Sequence, residues 1–210
     1  MITIISPAKS MDFTSEVPAN ISATKIQFGQ ESESLLEILQ SKTTLEIKKI
    51  MKVSDKIAEL NYDRLQNFSN LPEREALFAY SGDVYNNMDK ASFNTQDLNF
   101  AAQNLRIISG FYGILRPFDR IKPYRLEMVT KLPKLAKKGL AYYWQDIVSD
   151  NLNQEILKHD SKNIINLASN EYSNVLIPKK ISAKIINIHF REIRDGVIKN
   201  IALNAKRARG

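Results

Sequence analysis

Short apolar runs alternate along this chain with longer segments that have helical periodicity. The runs at residues 2–5, 75–80, 105–108 and 163–168 have the length and composition of buried β-strands. Residues 184–191 alternate between apolar and polar side chains, and Asp195-Gly196 predicts a tight hairpin leading into residues 197–205. The pattern therefore predicts a sheet whose strands are joined by helices.

The segments between these runs predict several amphipathic helices. Residues 31–65 carry apolar side chains at helical spacing, and Ser54 is expected to cap a helix at 55–65. Further helices are expected up to Asn104, with Thr95 as the capping residue, and over residues 142–157, with Trp144 in the core. The helix that ends at Asn104 returns the chain to the run at 105–108, which makes a βαβ-like unit.

A loop rich in charged and aromatic residues follows the run at 105–108. This central block, residues 109–128, has the sequence Ser-Gly-Phe-Tyr-Gly-Ile-Leu-Arg-Pro-Phe-Asp-Arg-Ile-Lys-Pro-Tyr-Arg-Leu-Glu-Met. Gly110 and Gly113 permit tight turns or close approach of the backbone. Pro117 and Pro123 fix the backbone φ angle at their positions. A rigid loop after a buried strand is where α/β proteins usually place ligand chemistry. The alternative is a surface loop with solvated arginines.

Polar side chains follow all four apolar runs. Because α/β sheets bind ligands outside the carboxyl ends of their strands, one concave site is expected to hold Lys9, Asp83, Arg116, Tyr124, Arg125 and Glu127. The same cleft is expected to include Ser6, Tyr85, Asp119, Asn170 and Glu171. If the site is catalytic, Lys9 is the candidate nucleophile, and Asp83 and Glu127 are candidate acid–base groups. A simple ion-pair network is the alternative.

Charge is distributed unevenly along the chain, whose net charge is +7. Residues 1–105 hold 10 Lys/Arg and 14 Asp/Glu, a net charge of −4. Residues 106–210 hold 20 Lys/Arg and 9 Asp/Glu, a net charge of +11. This asymmetry indicates an anionic partner, most simply a nucleic acid.

A basic turn is predicted between two helices near residue 53. Lys48, Lys49, Lys52 and Lys56 lie in or beside it, and such a turn is typical of a helix-hairpin-helix that grips a DNA phosphate. The usual hairpin glycines are replaced here by Val53 and Ser54. A plain helical pair with a solvated lysine face is the alternative.

Composition excludes several other classes of site. The chain has 210 residues, 43% of them hydrophobic, and no cysteine, which excludes disulfides and thiolate metal sites. Its two histidines are 30 residues apart without metal-ligand spacing, and no phosphate-loop or dinucleotide motif is present. No cofactor, metal or membrane partner is expected. The N-terminus lacks the features of a signal peptide, so a cytoplasmic location is the expectation.

Five blocks of this sequence resemble the YaaA peroxide stress family. Besides the central block they are residues 5–9 (Ile-Ser-Pro-Ala-Lys), 78–85 (Phe-Ala-Tyr-Ser-Gly-Asp-Val-Tyr), 165–172 (Ile-Asn-Leu-Ala-Ser-Asn-Glu-Tyr) and 205–210 (Ala-Lys-Arg-Ala-Arg-Gly). They occur in the family's order and span the chain. Family members usually continue for a few tens of residues beyond the last block, so a C-terminal truncation is expected.

The resemblance implies both a fold and a function. The implied fold is a single α/β domain over residues 1–210, with a mixed β-sheet flanked by helices and a helix-hairpin-helix-like insertion at about 31–66. The implied function is DNA binding in the response to hydrogen peroxide, with limitation of damage linked to free iron. Double-stranded or structured DNA is the implied partner. The candidate DNA-binding residues are Lys48, Lys49, Lys52, Lys56, Arg116, Arg120, Lys122, Tyr124, Arg125, Lys206 and Arg207.

Two other functions are compatible with the same residues. An enzyme acting on a nucleobase or nucleotide would use Lys9 with nearby carboxylates in a basic cleft. A third possibility is iron sequestration by Asp83, Asp119, Glu127 and Glu171. Buried carboxylates around Lys9 would favour the enzyme, whereas a basic groove of duplex width would favour DNA binding.

Overall fold

The structure is a computed structural model that describes residues 1–133, 135–194, 196–199 and 201–210. Its strands are β1 (Ile2–Ile5), β2 (Ser10–Met11), β3 (Arg74–Glu75), β4 (Tyr80–Ser81), β5 (Leu105–Ser109), β6 (Gly113–Leu115), β7 (Arg120–Ile121), β8 (Asn163–Asn166), β9 (Lys184–Asn187), β10 (Glu192–Arg194) and β11 (Val197–Lys199). Its α-helices are α1 (Gly29–Gln40), α2 (Thr44–Met51), α3 (Asp55–Gln66), α4 (Ala76–Ala79), α5 (Asp83–Asn86), α6 (Thr95–Asn104), α7 (Leu140–Ile156), α8 (Asn170–Ser173) and α9 (Ala202–Arg209). Short 3₁₀ turns lie at Phe68–Asn70 and Lys90–Ser92.

The main sheet of the described residues contains five strands in the order β6-β5-β1-β8-β9. β1, β5, β8 and β9 are parallel, whereas β6 returns antiparallel to β5. Ile5 lies opposite Ile107, and Ile4 lies opposite Asn166. The predicted mixed sheet and α/β class are confirmed, and the carboxyl ends of β1 and β8 share one edge.

Helices pack on this sheet through its apolar strands. Ile2, Ile4, Ile107, Ile108 and Ile164 are each fully buried. α6 packs against β1 and β5, and α7 packs against β6. Within the described part of the chain, no helix is long and apolar enough to cross a membrane.

The run predicted as a strand at 75–80 has a different structure. Its two ends pair, β3 with β7 and β4 with β2, but Ala76–Ala79 between them is a buried helical turn. All four side chains of that turn are buried. Periodicity cannot distinguish a short buried helix from a strand when every side chain is inward, which explains the error.

Both glycines of the central block are required by close packing. Gly113 has φ +73°, and a Cβ there would lie 2.6 Å from Cε3 of Trp144. A Cβ at Gly110 would collide with the carbonyl oxygen of Leu126. The indole of Trp144, fully buried as predicted, donates to the Gly110 carbonyl over 3.0 Å. These contacts hold residues 126–127 against the end of β5.

The predicted basic turn joins α2 to α3 through three residues. Lys52 ends α2 in the left-handed region at φ +53°, where a glycine is usual. Ser54 occupies the N-cap position of α3, but its side chain accepts no capping hydrogen bond. α2 itself begins with a complete capping box formed by Thr43 and Glu46.

The C-terminal segment contains the predicted hairpin and then a helix. β10 and β11 pair antiparallel, and Gly196 has φ +72°. Asp195, the other residue of the predicted turn, lies outside the described residues. The second strand of the hairpin ends at Lys199, and α9 begins at Ala202, inside the segment 197–205 that is predicted to follow the turn.

Candidate functional site

A cleft of about 290 Å³ opens where β1 and β8 end at the carboxyl edge of the sheet. Its walls come from four segments that are distant in sequence: the loop after β1, the segment around α5, the loop after β8, and α9. The residues that line the cleft are Ile5, Ser6, Pro7, Ala8, Lys9, Ser10, Ser81, Gly82, Asp83, Val84, Tyr85, Leu167, Ser169, Glu171, Tyr172, Lys206 and Arg209. Four of the five family-like blocks predicted from sequence therefore meet here, the last of them on α9.

An ion pair links the cleft to the central block. The Lys9 ammonium lies 2.9 Å from Oε1 of Glu127, and Arg125 approaches the same oxygen at 3.3 Å. The Lys9 side chain is 60% exposed, whereas that of Glu127 is 21% exposed. Lys9 and Glu127 are thus brought together as predicted, with the ammonium facing solvent.

Glu171 is a second carboxyl group beside this pair. Its Oε1 is buried and accepts no hydrogen bond from the described residues. Burial raises the pKa of Glu171, and the negative charge of Glu127 raises it further, while the Val129 amide and Lys9 lower it. Two glutamates therefore lie near one lysine, and carboxyl groups beside an ammonium can transfer protons.

Asp83 meets α9 at another part of the cleft. Lys206 lies 3.8 Å from Oδ2 of Asp83, and both side chains are partly exposed. α9 is held close to α5 because Gly210 sits against the Val84 carbonyl, where a side chain would collide. The last family-like block therefore positions a cationic helix over the cleft.

Hydrogen bonds fix the strand ends that form the floor. The Ser169 amide donates to Oγ of Ser6 over 2.9 Å, and the Ser6 hydroxyl lies 3.3 Å from that of Ser169. The Tyr85 hydroxyl donates to the Ser6 carbonyl over 2.8 Å. These bonds join β1, β8 and α5, so Ser6 and Tyr85 serve mainly to build the cleft.

Tyr124 belongs to a buried hydroxyl network under the cleft. Its hydroxyl lies 2.6 Å from that of Tyr80 and 2.7 Å from Oγ of Ser109. Burial raises the pKa of Tyr124 to about 12, so the phenol is neutral at physiological pH. Because the ring is 8% exposed and packed in the core, it offers no open face on which a base could stack.

Arg116 and Asp119 lie apart from the cleft, which corrects the single-site expectation. Asp119 is fully buried and accepts from the Arg116 guanidinium at 2.8 and 3.0 Å and from Thr24 at 2.6 Å. β6 runs antiparallel to β5, so the residue after β6 leaves the sheet at the edge opposite the cleft. The pair instead ties the central block to residues 24–25.

Other cations of the central block also have local partners. Lys122 donates to the carbonyls of Phe68 and Ser69 at 3.0 and 2.6 Å. Arg120 is about half exposed and lies 3.9 Å from Glu73 and 4.0 Å from Glu75. Several of the cations predicted to contact DNA therefore bind carbonyl or carboxylate groups of the protein itself.

The α2–α3 turn has more accessible charge. Lys48 pairs with Asp55 at 2.6 Å, but Lys49, Lys52 and Lys56 are exposed. No carboxylate in the described ranges lies within ion-pair distance of these three. The turn thus presents three solvated ammonium groups beside the first turn of α3.

The remaining predicted residues occupy peripheral positions. Asn170 is exposed at the start of α8, and Arg207 is exposed on α9. Arg209 lines the cleft although the sequence prediction named only Lys206 and Arg207 on that helix. The spacing of 206 and 209, three residues apart on one helical face, is the feature that could have identified it.

Carboxylates do not gather into a metal site in the described part of the chain. No group of three His, Asp or Glu side chains there has the geometry to hold a metal ion. Asp119 is buried with Arg116, away from Asp83 and Glu171. The proposed oxygen-ligand set for iron is therefore not assembled by these residues.

A mixed sheet with a charged cleft at its carboxyl edge is an α/β ligand-binding architecture. The sequence profile of the family described as peroxide stress protein YaaA matches residues 1–210, and the chain belongs to that family. The chain is 43% identical over its whole length to a UPF0246 protein of Rickettsia felis and covers 83% of it. It is 42% identical to a UPF0246 protein of Rickettsia bellii, covering 84% of that protein. Family membership supports a role in the oxidative stress response.

Proposed function

We propose that the protein binds double-stranded or structured DNA in the cytoplasmic response to peroxide, through the turn between α2 and α3. In that response the protein would limit damage linked to free intracellular iron. The observation that carries the proposal is the cluster of Lys49, Lys52 and Lys56, which are exposed and unpaired among the described residues. Cations arranged in this way attract phosphate and release condensed counterions on binding.

The helix start beside these lysines supports a phosphate contact. The first-turn amides of α3 point out of the helix without a side-chain cap from Ser54, whereas α2 and α6 both have complete capping boxes. Uncapped amides at the N-terminus of a helix are donors for an anion. Asp55 opposes such a contact, but Lys48 pairs with it at 2.6 Å.

Recognition of this kind follows charge rather than base sequence. The lysines sit on a short turn, and lysine contacts to phosphate position a protein without reading bases. Affinity should therefore be similar for unrelated duplexes and fall steeply as salt increases. A dissociation constant independent of salt would contradict the proposal.

The test is charge reversal at the turn. Lys49→Glu with Lys52→Glu should weaken binding to several unrelated duplexes by about tenfold or more, to a similar extent for each, in fluorescence anisotropy titrations at fixed salt. Lys158→Glu with Lys179→Glu is the matched control, because both residues are exposed and the change in net charge is identical. Equal loss in both double variants would show that only net charge matters and would reject the turn as the contact.

A second candidate function is an enzyme that acts on a nucleobase or nucleotide in the cleft. The observation that favours it is the contact of Lys9 with Glu127 at 2.9 Å beside Glu171, whose pKa is raised. Glu171 would donate a proton, Glu127 would accept one, and Lys9 would act as nucleophile or electrostatic stabiliser.

This candidate is tested by following substrate conversion. Nucleosides and nucleotides incubated with the full chain would be followed by mass spectrometry. Lys9→Ala and Glu171→Gln should each abolish any conversion, while Glu59→Gln, an exposed control, should retain it. Conversion that persists in both cleft variants would remove these residues from the mechanism.

A further inference from the structure

A second cavity, of about 300 Å³, adjoins α9 and has an unusual charge distribution. Its lining residues are His189, Phe190, Arg191, Ile198, Lys199 and Arg209. Three of the six are permanently cationic, one is a histidine, and none of these lining residues is acidic. We call this the basic cavity. Of its lining residues, only Arg209 belongs to a family-like block.

One acidic residue, Glu192, lies beside these cations: it follows Arg191 in the chain and is opposite Lys199 in the β10–β11 pairing. No carboxylate in the described segments lies within ion-pair distance of Arg191 or Lys199. Side chains of like charge that face one cavity repel each other, and this cost is recovered when an anion enters. A phosphate offers the oxygen acceptors and the charge that arginine and lysine bind best.

Arg209 connects the basic cavity to the cleft. It lines both spaces, and its guanidinium stacks over the Phe190 ring with its centre 5.8 Å from the ring centroid. Its Nε is buried and has no hydrogen-bond partner among the described residues, and burial lowers the pKa of Arg209. A buried donor without an acceptor favours a ligand atom at that position.

The two spaces differ in chemistry in a way that fits the two parts of a nucleotide. The cleft has an apolar wall that includes Ile5, Val84 and Leu167, with serine hydroxyls beside it. The basic cavity offers cations. A sugar and base suit the first surface, and phosphate suits the second.

We infer that the cleft and the basic cavity together bind one nucleotide, with the nucleoside in the cleft, the phosphates in the basic cavity, and Arg209 between them. This inference deepens the second candidate function, because it names the class of ligand that the cleft would receive. It concerns binding alone, so it can hold even if no substrate is converted.

The test is calorimetric titration of the full chain with ADP, GDP, CDP and UDP, and separately with inorganic pyrophosphate and the four nucleosides. At least one nucleoside diphosphate should bind about tenfold or more tightly than pyrophosphate or its own nucleoside, since both spaces contribute. Failure of all four diphosphates to bind, or affinity no better than that of pyrophosphate, would overturn the inference.

Variants assign the two parts of the ligand. Arg191→Ala with Lys199→Ala should weaken diphosphate binding by about tenfold or more and leave nucleoside binding unchanged, because charge-assisted hydrogen bonds to phosphate are lost. Arg209→Gln should weaken diphosphate binding as well. Lys158→Ala with Lys179→Ala removes the same charge from exposed positions outside both spaces and should have no effect.

Two outcomes would reject the inference even if anions bind. Equal losses of diphosphate affinity in the control and cavity variants would show that the diphosphate is attracted by the net charge of the protein and not by the basic cavity. If a short DNA duplex displaces pyrophosphate while no diphosphate exceeds pyrophosphate in affinity, the basic cavity belongs to a DNA-binding surface. The Lys49→Glu and Lys52→Glu variant tests DNA binding at a different surface, so failure of one proposal does not decide the other.

Discussion

The central block and the α2–α3 turn are both rich in cations but use them differently. In the central block Arg116 holds the buried carboxylate of Asp119, and Lys122 holds two backbone carbonyls. In the turn, Lys49 and Lys52 extend into solvent without an acidic partner among the described residues.

The difference shows that the residues of a distinctive sequence block can be required for folding rather than for ligand binding. Gly110 and Gly113 are required by the approach of Leu126 and Trp144, and Tyr124 is required by a buried hydroxyl network. A phosphate-binding turn needs only exposed positive charge, which many sequences provide. The most specific motif and the proposed DNA contact are therefore different parts of the molecule.

Removal of the buried cation partner should have the largest effect on stability. Arg116→Ala leaves the Asp119 carboxylate buried without its guanidinium, which should cost about 3–5 kcal/mol in the free energy of unfolding measured with urea. Arg120→Ala is the control, since its ion pairs are long and exposed and should contribute under about 1 kcal/mol. Similar losses in the two variants would mean that the Arg116 pair is not structural.

A methyl group in the packed glycine position should have the next largest effect. Gly113→Ala combines a left-handed backbone with a collision against Trp144, and we expect a loss of about 2–4 kcal/mol in urea unfolding. Gly196→Ala has nearly the same φ but meets no described atom within 4 Å, so it should cost only about 1 kcal/mol. If both substitutions cost the same, packing against Trp144 contributes nothing.

Single charge changes should separate the two regions in DNA binding. Lys52→Glu should weaken binding by about fivefold and reduce the salt slope by about one, because one phosphate contact is lost. Arg120→Glu, in the central block, should change the affinity by less than about twofold, because that cation already faces two glutamates. Both variants would be measured by anisotropy at several salt concentrations. A larger loss of affinity for Arg120→Glu than for Lys52→Glu would indicate that the central block contacts DNA.

The smallest effect concerns the pH dependence of stability at Glu171. Its folded-state pKa is raised above the ordinary 4.5, so the folded chain holds this proton more tightly than the unfolded chain. The contribution of Glu171 to the free energy of unfolding should therefore decrease as pH rises from 4.5 through the raised pKa. Solvent screening keeps this change small, since the group is half-buried.

Substitution isolates that contribution. In urea titrations at several pH values, Glu171→Gln should lack this part of the pH dependence. The free energy of unfolding of the wild type minus that of the variant should therefore decrease as pH rises from 4.5. Glu59→Gln, at an exposed position, should follow the wild type. An identical pH profile for wild type and Glu171→Gln would show that the carboxyl group does not hold its proton as described.

Local pattern predicted much of the fold. β1 has the predicted bounds, and β5 differs by a single residue at its end. α6 ends at Asn104 as predicted, but Asn94 caps it rather than the predicted Thr95. The predicted convergence of Lys9 with Glu127 followed from the rule that parallel strands end at one edge. The direction of β6 could not be predicted in the same way, because a short strand after a glycine turn can return antiparallel, and that direction carries Arg116 away.

Contacts between distant segments were the hardest to predict. The position of α9 over the cleft depends on the fit of Gly210 against Val84, and neither residue has a local pattern that indicates the other. Arg209 reaches the cleft only because of that packing. Likewise, burial of Tyr124 depends on Tyr80 and Ser109, which the chain brings together from separate elements.

Trp144 also provides an optical probe of the folded state. It is the single tryptophan in the chain, and its indole is fully buried against Gly113 and bonded to the Gly110 carbonyl. Its fluorescence should therefore be blue-shifted in the native protein and move to longer wavelength when the contact with the central block opens. Emission can thus follow separation of α7 from β6 directly, with no label added.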